Sequence, residues 1–337
     1  MEPFDYRNIL IIKPGAVGDL LQLTPAIRAL KKRFPAARIT LLVGNTATAD
    51  MFRHDPWLHD VVVFDRRGEH RTLSAKLKLW QRLRAGRFDL VVNYQRSNLK
   101  AWLLAAAAFP CRVLVYEKAR GRVVHAVVNH LETLAPLGIS PTSDPNLELY
   151  PGEEDERFAE EVFRGNVREG QPVVALNPGA SNRIKCWSPA QFAALGDRLV
   201  RELDARVVVV GSAGERDLAE AIVSRMAQPS LNLVGKTSLL QLGAVLKRCD
   251  LLVSGDTGPL HMATAVRTPV VALFGAIEPR RTGPVGEGHV VVRHPEIPCV
   301  PCNAKKCTNQ EYLACMERIS PDEVFRVVEA LLAKGKR

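Results

Sequence analysis

Aromatic side chains are scarce in this 337-residue chain, at 6% of the total. No strip of rings is available for stacking nucleobases, and zinc-finger and RNP spacings are absent, so nucleic acid is not expected among its partners. Long apolar runs are missing too. The longest, residues 101–109, falls far short of the ~20 residues that span a bilayer. The opening Met1-Glu2-Pro3-Phe4-Asp5 is acidic and leads directly into a strand-like run, whereas a secretory signal starts basic and stays apolar for longer. The expectation is a cytoplasmic protein. Tandem repeats with periods of about 20 to 50 residues are also lacking, which argues against solenoids and propellers.

Core material is ample. Hydrophobic residues make up 47% of the chain, and the length exceeds one comfortable core, so two domains are expected. The net charge of +10 is lopsided: residues 1–150 hold 22 Lys and Arg against 13 Asp and Glu, and the remainder holds 24 against 23. The first half therefore suits an acidic partner, such as anionic lipid or a phosphorylated glycan.

Short Val, Ile and Leu runs alternate with helical patterns throughout, as in parallel sheets covered on both faces. In the first half, strands are predicted at 9–12, 39–43, 61–64, 90–93 and 113–116, with a helix over 20–34 joining the first two. A turn-rich stretch, Ser140-Pro141-Thr142-Ser143-Asp144-Pro145, precedes a charged helix over 153–163. The second half restarts the pattern with five strands, at 173–176, 207–210, 231–233, 251–253 and 270–274, and with helices over 189–202 and 215–226. A last amphipathic helix, 321–333, has Ser320 as its cap. The predicted fold class is α/β, with doubly wound domains over 1–165 and 166–320 and a terminal helix over 321–337.

Two strand-to-helix turns carry the chemistry: Lys13-Pro14-Gly15-Ala16-Val17-Gly18-Asp19, and Ser254-Gly255-Asp256-Thr257-Gly258-Pro259-Leu260-His261. Each brings small residues and a carboxylate to the start of a helix whose first amides lack partners, a place that can hold an anion. The first turn is no dinucleotide fingerprint, because its third glycine is misplaced and Leu42-Val43-Gly44-Asn45 ends the second strand without an acid. That argues against a dehydrogenase. Asp19 is either a general base or an acid serving the first helical turn. His261 is a phosphate donor or a packing imidazole, and Glu215 takes two ribose hydroxyls or caps a helix. Between them, the loop from Asn177 to Pro189 gathers amides, the Ser181 hydroxyl and the Arg183 and Lys185 cations. Ser181 and Lys185 there can hold a diphosphate, and Ser188 with Pro189 opens the next helix.

Taken in this order, the motifs resemble glycosyltransferase family 9, the ADP-heptose:lipopolysaccharide heptosyltransferases of the GT-B fold, and the resemblance runs nearly end to end. Lys13 through Ala26 corresponds to the family's opening, with Asp19 at the position of its general base. Ser181 through Trp187 corresponds to its donor loop, so that Lys185 contacts the donor phosphates. Asp256, Thr257, Gly258 and His261 correspond to its signature for the sugar and diphosphate, and Glu215 to a ribose-binding carboxylate. The chain looks most like the heptosyltransferase II type. The resemblance implies two Rossmann-like domains facing a central cleft, the first binding the acceptor and the second the nucleotide sugar. It also implies an inverting, metal-independent transfer of heptose from ADP-heptose to the inner core of lipopolysaccharide, with no cofactor. The lack of an Asp-x-Asp pair, the metal-diphosphate anchor of the other large glycosyltransferase fold, agrees with this. The alternatives are a transferase or epimerase using a UDP-sugar, and a non-catalytic nucleotide-sugar binder.

The implied acceptor, Kdo and heptose on lipid A, is polyanionic and lies on the inner membrane face, so a peripheral membrane contact is implied as well. Arg66, Arg67, Arg96, Lys118 and Arg120 are the candidate acceptor contacts. Leu73, Leu77, Leu79, Trp80 and Leu83 interleave with cations and can lie on a membrane surface, but packing of this helix on its own sheet is the expectation. Cys299, Cys302, Cys307 and Cys315 have spacing that suits a structural zinc site, a disulfide-tied loop or reduced packing thiols, and a reducing cytosol disfavours disulfides. No metal is assigned to the reaction.

Overall fold

The computed structural model describes residues 5–95 and 104–335, and the chain divides into two compact units at Tyr150 and Pro151. The expected boundary at 165 is thereby corrected. Helix Glu153–Phe163 belongs to the second unit, where it packs on helix Leu239–Lys247 and Glu156 pairs with Lys247 at 2.7 Å. Residues 144–150 stay with the first unit for an electrostatic reason. Arg28, buried on helix Thr24–Arg33, pairs with Asp144 at 3.0 Å and Glu148 at 2.8 Å, and Trp57 Nε1 donates to Glu148 and to the Tyr150 hydroxyl.

In the first unit, β1 (Asn8–Ile12), β2 (Arg38–Val43), β3 (Asp60–Val63), β4 (Leu90–Asn93) and β5 (Arg112–Val115) form a parallel sheet in the order β3-β2-β1-β4-β5. Each lies within one residue of its predicted span, because β1, β2 and β4 are near-continuous apolar runs buried on both faces. The helix predicted over 20–34 is two helices, Val17–Leu21 and Thr24–Arg33. Pro25 has no N–H to donate to the Leu21 carbonyl, and the Thr24 hydroxyl donates to it instead at 2.8 Å.

In the second unit, β6 (Val173–Asn177), β7 (Arg206–Val209), β8 (Ser230–Asn232), β9 (Leu251–Gly255), β10 (Val270–Leu273) and β11 (Val290–Val292) form a parallel sheet in the order β11-β10-β9-β6-β7-β8. The sixth strand corrects the expected five. At three residues it is too short to stand out as a run, and only its register against β10 defines it. Ser188 and Ser320 cap their helices as predicted, accepting from the amides of Gln191 and Glu323. Helix Pro321–Gly335 packs on helix Pro189–Leu203, with Val324, Phe325 and Val328 in the second unit's core, so it is no separate element.

Both sheets have a switch point, between β1 and β4 in one and between β6 and β9 in the other. The crevice beyond the C-terminal ends of such strands is where ligands of open α/β sheets collect. Among the described residues, no helix is long and apolar enough to cross a membrane.

Candidate active site

At the second unit's switch point, Asn177 ends β6 fully inside the fold and ties the two strand ends together. Its Nδ2 donates to Ser254 Oγ and Thr257 Oγ1, both at 2.9 Å. Lys185, in the loop after β6, forms an ion pair with Asp256, just after β9, at 2.6 Å. The Asp256 side chain is only 9% exposed and that of Lys185 21%, so the pair is screened little by water. Thr257 then opens helix Gly258–Ala265, with Pro259 in the first turn, where its missing N–H is no loss. His261, on that helix, is buried, which fits the packing reading.

Glu215 serves two loops at once. Its Oε2 accepts from the Ser212 amide and hydroxyl at 2.6 and 2.8 Å, which is the capping role. Its Oε1 lies against the loop after β6 at Gly179, where a Cβ would stand 1.7 Å from that oxygen. Gly255 allows another close approach, since a Cβ there would meet the Lys185 carbonyl at 2.8 Å. The structure thus gathers Lys185, Asp256 and Thr257 and brings Glu215 to the same loop, while Ser181 stands exposed in it.

At the first unit's switch point, Asp19 is the third residue of helix Val17–Leu21 and is exposed. The helix begins at Ala16 with no side-chain cap, and the Asp19 carboxylate accepts no hydrogen bond among the described residues. It holds no cap bond and stands in the first turn, where an acid also faces the positive end of the helix. Lys13 stands beside it: a Cβ on Gly15 would meet Lys13 Cε at 3.3 Å and Asp19 Oδ2 at 3.5 Å. The Lys13 ammonium sits 5.7 Å from the Tyr116 ring centroid and has no hydrogen-bond acceptor among the described residues. Burial lowers its pKa, and the charge of Asp19 opposes that shift.

Beneath Lys13, His130 is enclosed by the Tyr94 and Tyr116 rings, with centroids at 5.1 and 5.3 Å. Burial, then the Lys13 charge, pushes its pKa down to about 3, against the Gln22 carbonyl that meets Nδ1 at 3.1 Å. Asn93, at the end of β4, is fully buried; its Oδ1 accepts from the Gln95 amide and its Nδ2 is unpartnered among the described residues. Sequence reasoning gave no role to Asn93, Tyr116 or His130. The available signal was a buried strand ending in asparagine, which β4 shares with β6.

The candidate acceptor cations are not together. Lys118 and Arg120 follow β5 and line an open cavity of about 1000 Å³ with Tyr116 and Asn129. Arg66 and Arg67 follow β3, the opposite edge strand of the sheet, which lies four strand spacings or ~19 Å from β5. Arg96 lies outside the described residues. Helix Leu73–Ala85 also divides: Leu79 and Leu83 are buried, as the packing reading expects, but Leu73, Leu77 and Trp80 are exposed.

Cys299, Cys302, Cys307 and Cys315 line one small cavity of about 20 Å³. All four are free thiols in this structure. Burial, and then the other three thiols, push Cys315 up to about 11. Among the described residues, no three His, Cys, Asp or Glu side chains converge as metal ligands.

Residues 76–313 match glycosyltransferase family 9 (heptosyltransferase), a span that begins after the Asp19 turn. Lipopolysaccharide heptosyltransferase 3 of Escherichia coli is 28% identical over 77% of this chain and 81% of its own length. A glycosyltransferase family 9 structure from Veillonella parvula superposes with a TM-score of 0.86 at 23% identity, covering 98% of this chain and 99% of the other. The E. coli ADP-heptose lipopolysaccharide heptosyltransferase II structure does so with a TM-score of 0.80, also at 23% identity, covering 98% and 100%. These likenesses place the two parallel α/β units in the GT-B fold.

Proposed function

The chain belongs to glycosyltransferase family 9, the heptosyltransferases, and from that premise we propose that it moves heptose from ADP-heptose to the inner core of lipopolysaccharide, inverting the anomeric centre without a metal. The proposed setting is the cytoplasm, with peripheral contact at the inner membrane, and the proposed type is heptosyltransferase II, whose E. coli structure is among the neighbours. The observation that carries this reading is the second unit's switch point. There Lys185, the Thr257 side chain and a helix start surround the place where a diphosphate collects, with Glu215 held against the same loop.

In the proposed reaction the acceptor hydroxyl attacks the anomeric carbon and gives its proton to Asp19, while the bond from that carbon to the diphosphate oxygen breaks and ADP leaves with the electron pair. A well-placed base contributes about 100- to 10,000-fold. Asp19 suits the role because its carboxylate is free of hydrogen bonds among the described residues. Lys185 and the amides at the start of helix Gly258–Ala265 stabilise the charge that develops on the leaving diphosphate. Glu215 Oε1 takes the ribose hydroxyls, its other oxygen being fixed by Ser212. Lys118 and Arg120, around their open cavity, hold the anionic glycolipid, and the unpartnered Lys13 ammonium receives one of its oxygens.

Calorimetric titration with ADP, UDP and GDP in the presence of EDTA tests this first. Tight binding of ADP over the other two without metal is the expected result. Preference for UDP would replace the donor with a UDP-sugar, and a requirement for metal would remove the metal-independent mechanism.

A further inference from the structure

We propose that the outward face of helix Leu73–Ala85, together with the loop before it, is the surface by which the protein lies on an anionic lipid bilayer. Among the described residues, six large hydrophobic side chains are exposed, and four of them are here: Leu73 at 82%, Leu77 at 54%, Trp80 at 37% and Phe109 at 68%. At 100° per residue, Leu73, Leu77, Trp80 and Arg84 fall at i, i+4, i+7 and i+11, a single stripe along the helix. Leu79 and Leu83 supply the separate buried face, so the stripe is surplus to the core. Phe109 continues the patch, since Arg84 reaches its carbonyl at 3.5 Å while holding its guanidinium over the Trp80 ring.

The charges around this stripe choose the occupant. Arg66, Arg67, Arg71, Lys76 and Lys78 are exposed and form no ion pair among the described residues. Arg82 is paired with Asp60, and the one carboxylate among the loop's first residues, Asp65, accepts the Arg67 and Gly68 amides. Glu69 is the only other acid from 65 to 85. An apolar stripe flanked by free cations fits the interface of a bilayer with anionic headgroups, where apolar burial and the attraction of cations to the surface add together. A second copy of the same face would set two rows of cations against each other, which disfavours self-association. The helix follows β3, so it starts at the C-terminal edge of the sheet, the edge that also carries Lys13 and Asp19.

This deepens the functional reading, whose acceptor is lipid-linked, but the surface argument needs no donor or acceptor. The test is co-sedimentation of the full chain with vesicles of phosphatidylcholine alone and of phosphatidylcholine mixed with phosphatidylglycerol, lacking lipopolysaccharide. Binding is expected only to the mixed vesicles, weakening with salt, and brominated lipid should quench fluorescence that the Trp80→Phe variant lacks. The Leu73→Ser, Leu77→Ser double variant should bind about tenfold or more weakly. Both positions are exposed, so its melting temperature should not move, and its transfer rate to a water-soluble, delipidated acceptor should equal that of the parent. Equal binding by the double variant, or no binding by the parent, would overturn the proposal. So would a dimer in solution that these substitutions dissolve without any vesicle binding. Vesicle binding by a protein that fails to bind ADP would instead sink the functional reading and leave the docking surface standing.

Discussion

At the switch point of the second unit the polar side chains already have partners, whereas at that of the first unit the comparable groups are left open. Asn177 donates to two hydroxyls, Lys185 is paired with Asp256, and Glu215 is held by Ser212. Across the other sheet, Asn93 Nδ2 has no partner, the Lys13 ammonium has no hydrogen-bond acceptor, and Asp19 stands free, all among the described residues. The winding is the same, so topology does not account for the difference. A prepaired site receives a charged ligand with its dipoles already oriented. An open one costs most where its group is buried, as at Asn93, whose unpartnered Nδ2 is worth about 1–3 kcal/mol until a ligand completes it. The contrast matches the proposed division of labour, with a fixed nucleotide seat in one unit and, in the other, a hydroxyl-rich acceptor that supplies the missing partners.

The largest break in that contrast should come from Asp19→Ala. Transfer should fall about 100- to 10,000-fold while calorimetry with ADP is unchanged, because the carboxylate holds no hydrogen bond whose loss would disturb the resting fold. A normal rate would remove Asp19 as the base. Lys185→Ala should behave oppositely, disturbing the resting site as well as the reaction. It leaves Asp256 mostly enclosed without its cation, an imbalance of about 1–3 kcal/mol, so ADP affinity, turnover and melting temperature should all drop. Adding Asp256→Asn should return the melting temperature but not the turnover; a double variant as unstable as the single one would mean the pair is not what holds these loops.

A smaller effect separates two glycines of the prepaired site. Gly255→Ala would press a methyl group against the Lys185 backbone carbonyl at 2.8 Å, and backbone moves reluctantly, so a loss of melting temperature is expected. Gly179→Ala would press on the end of the Glu215 side chain, which can swing away. The expected result there is a raised donor KM with little change in melting temperature. If both variants lose stability alike, Glu215 is a structural cap and its ribose role falls.

Much of this arrangement was legible before any coordinates. The buried strands were, because parallel strands covered on both faces leave apolar runs that nothing else explains. The turns that follow β6 and β9 were too, since runs of polar residues and glycine mark where a chain leaves a parallel sheet. What escaped depends on partners distant in sequence. The three-residue β11 exists only by pairing with β10, the domain boundary depends on Arg28 reaching Asp144 and Glu148, and the break before Pro25 required knowing that Thr24 could fill the vacated bond. Arg66, Arg67, Lys118 and Arg120 share only their charge in the sequence, and strand order sets the first two at one edge of the sheet and the other two at the opposite edge.

The smallest expected effect is on stability against pH, and it belongs to the open unit. His130 is buried neutral, with its pKa pushed from 6.5 down to about 3. Between those values the unfolded chain binds the proton that the folded one refuses, so stability falls as pH drops below 6.5, by at most about 1.4 kcal/mol per pH unit. Asp55 opposes it. Burial, outweighing the hydrogen bond from the Trp57 amide, raises its pKa from 3.8 to about 6, so from pH 6 down to 3.8 the folded state holds the extra proton and stability rises. The two slopes should nearly cancel below pH 6 and leave the first unit's melting temperature close to flat. Asp55→Asn keeps an oxygen for the Trp57 amide and removes the titration, so it should expose the His130 slope as a melting temperature that declines steadily from pH 6 to 4. A flat profile in that variant would mean that His130 takes its proton in the folded state and that the pocket beneath Lys13 admits charge.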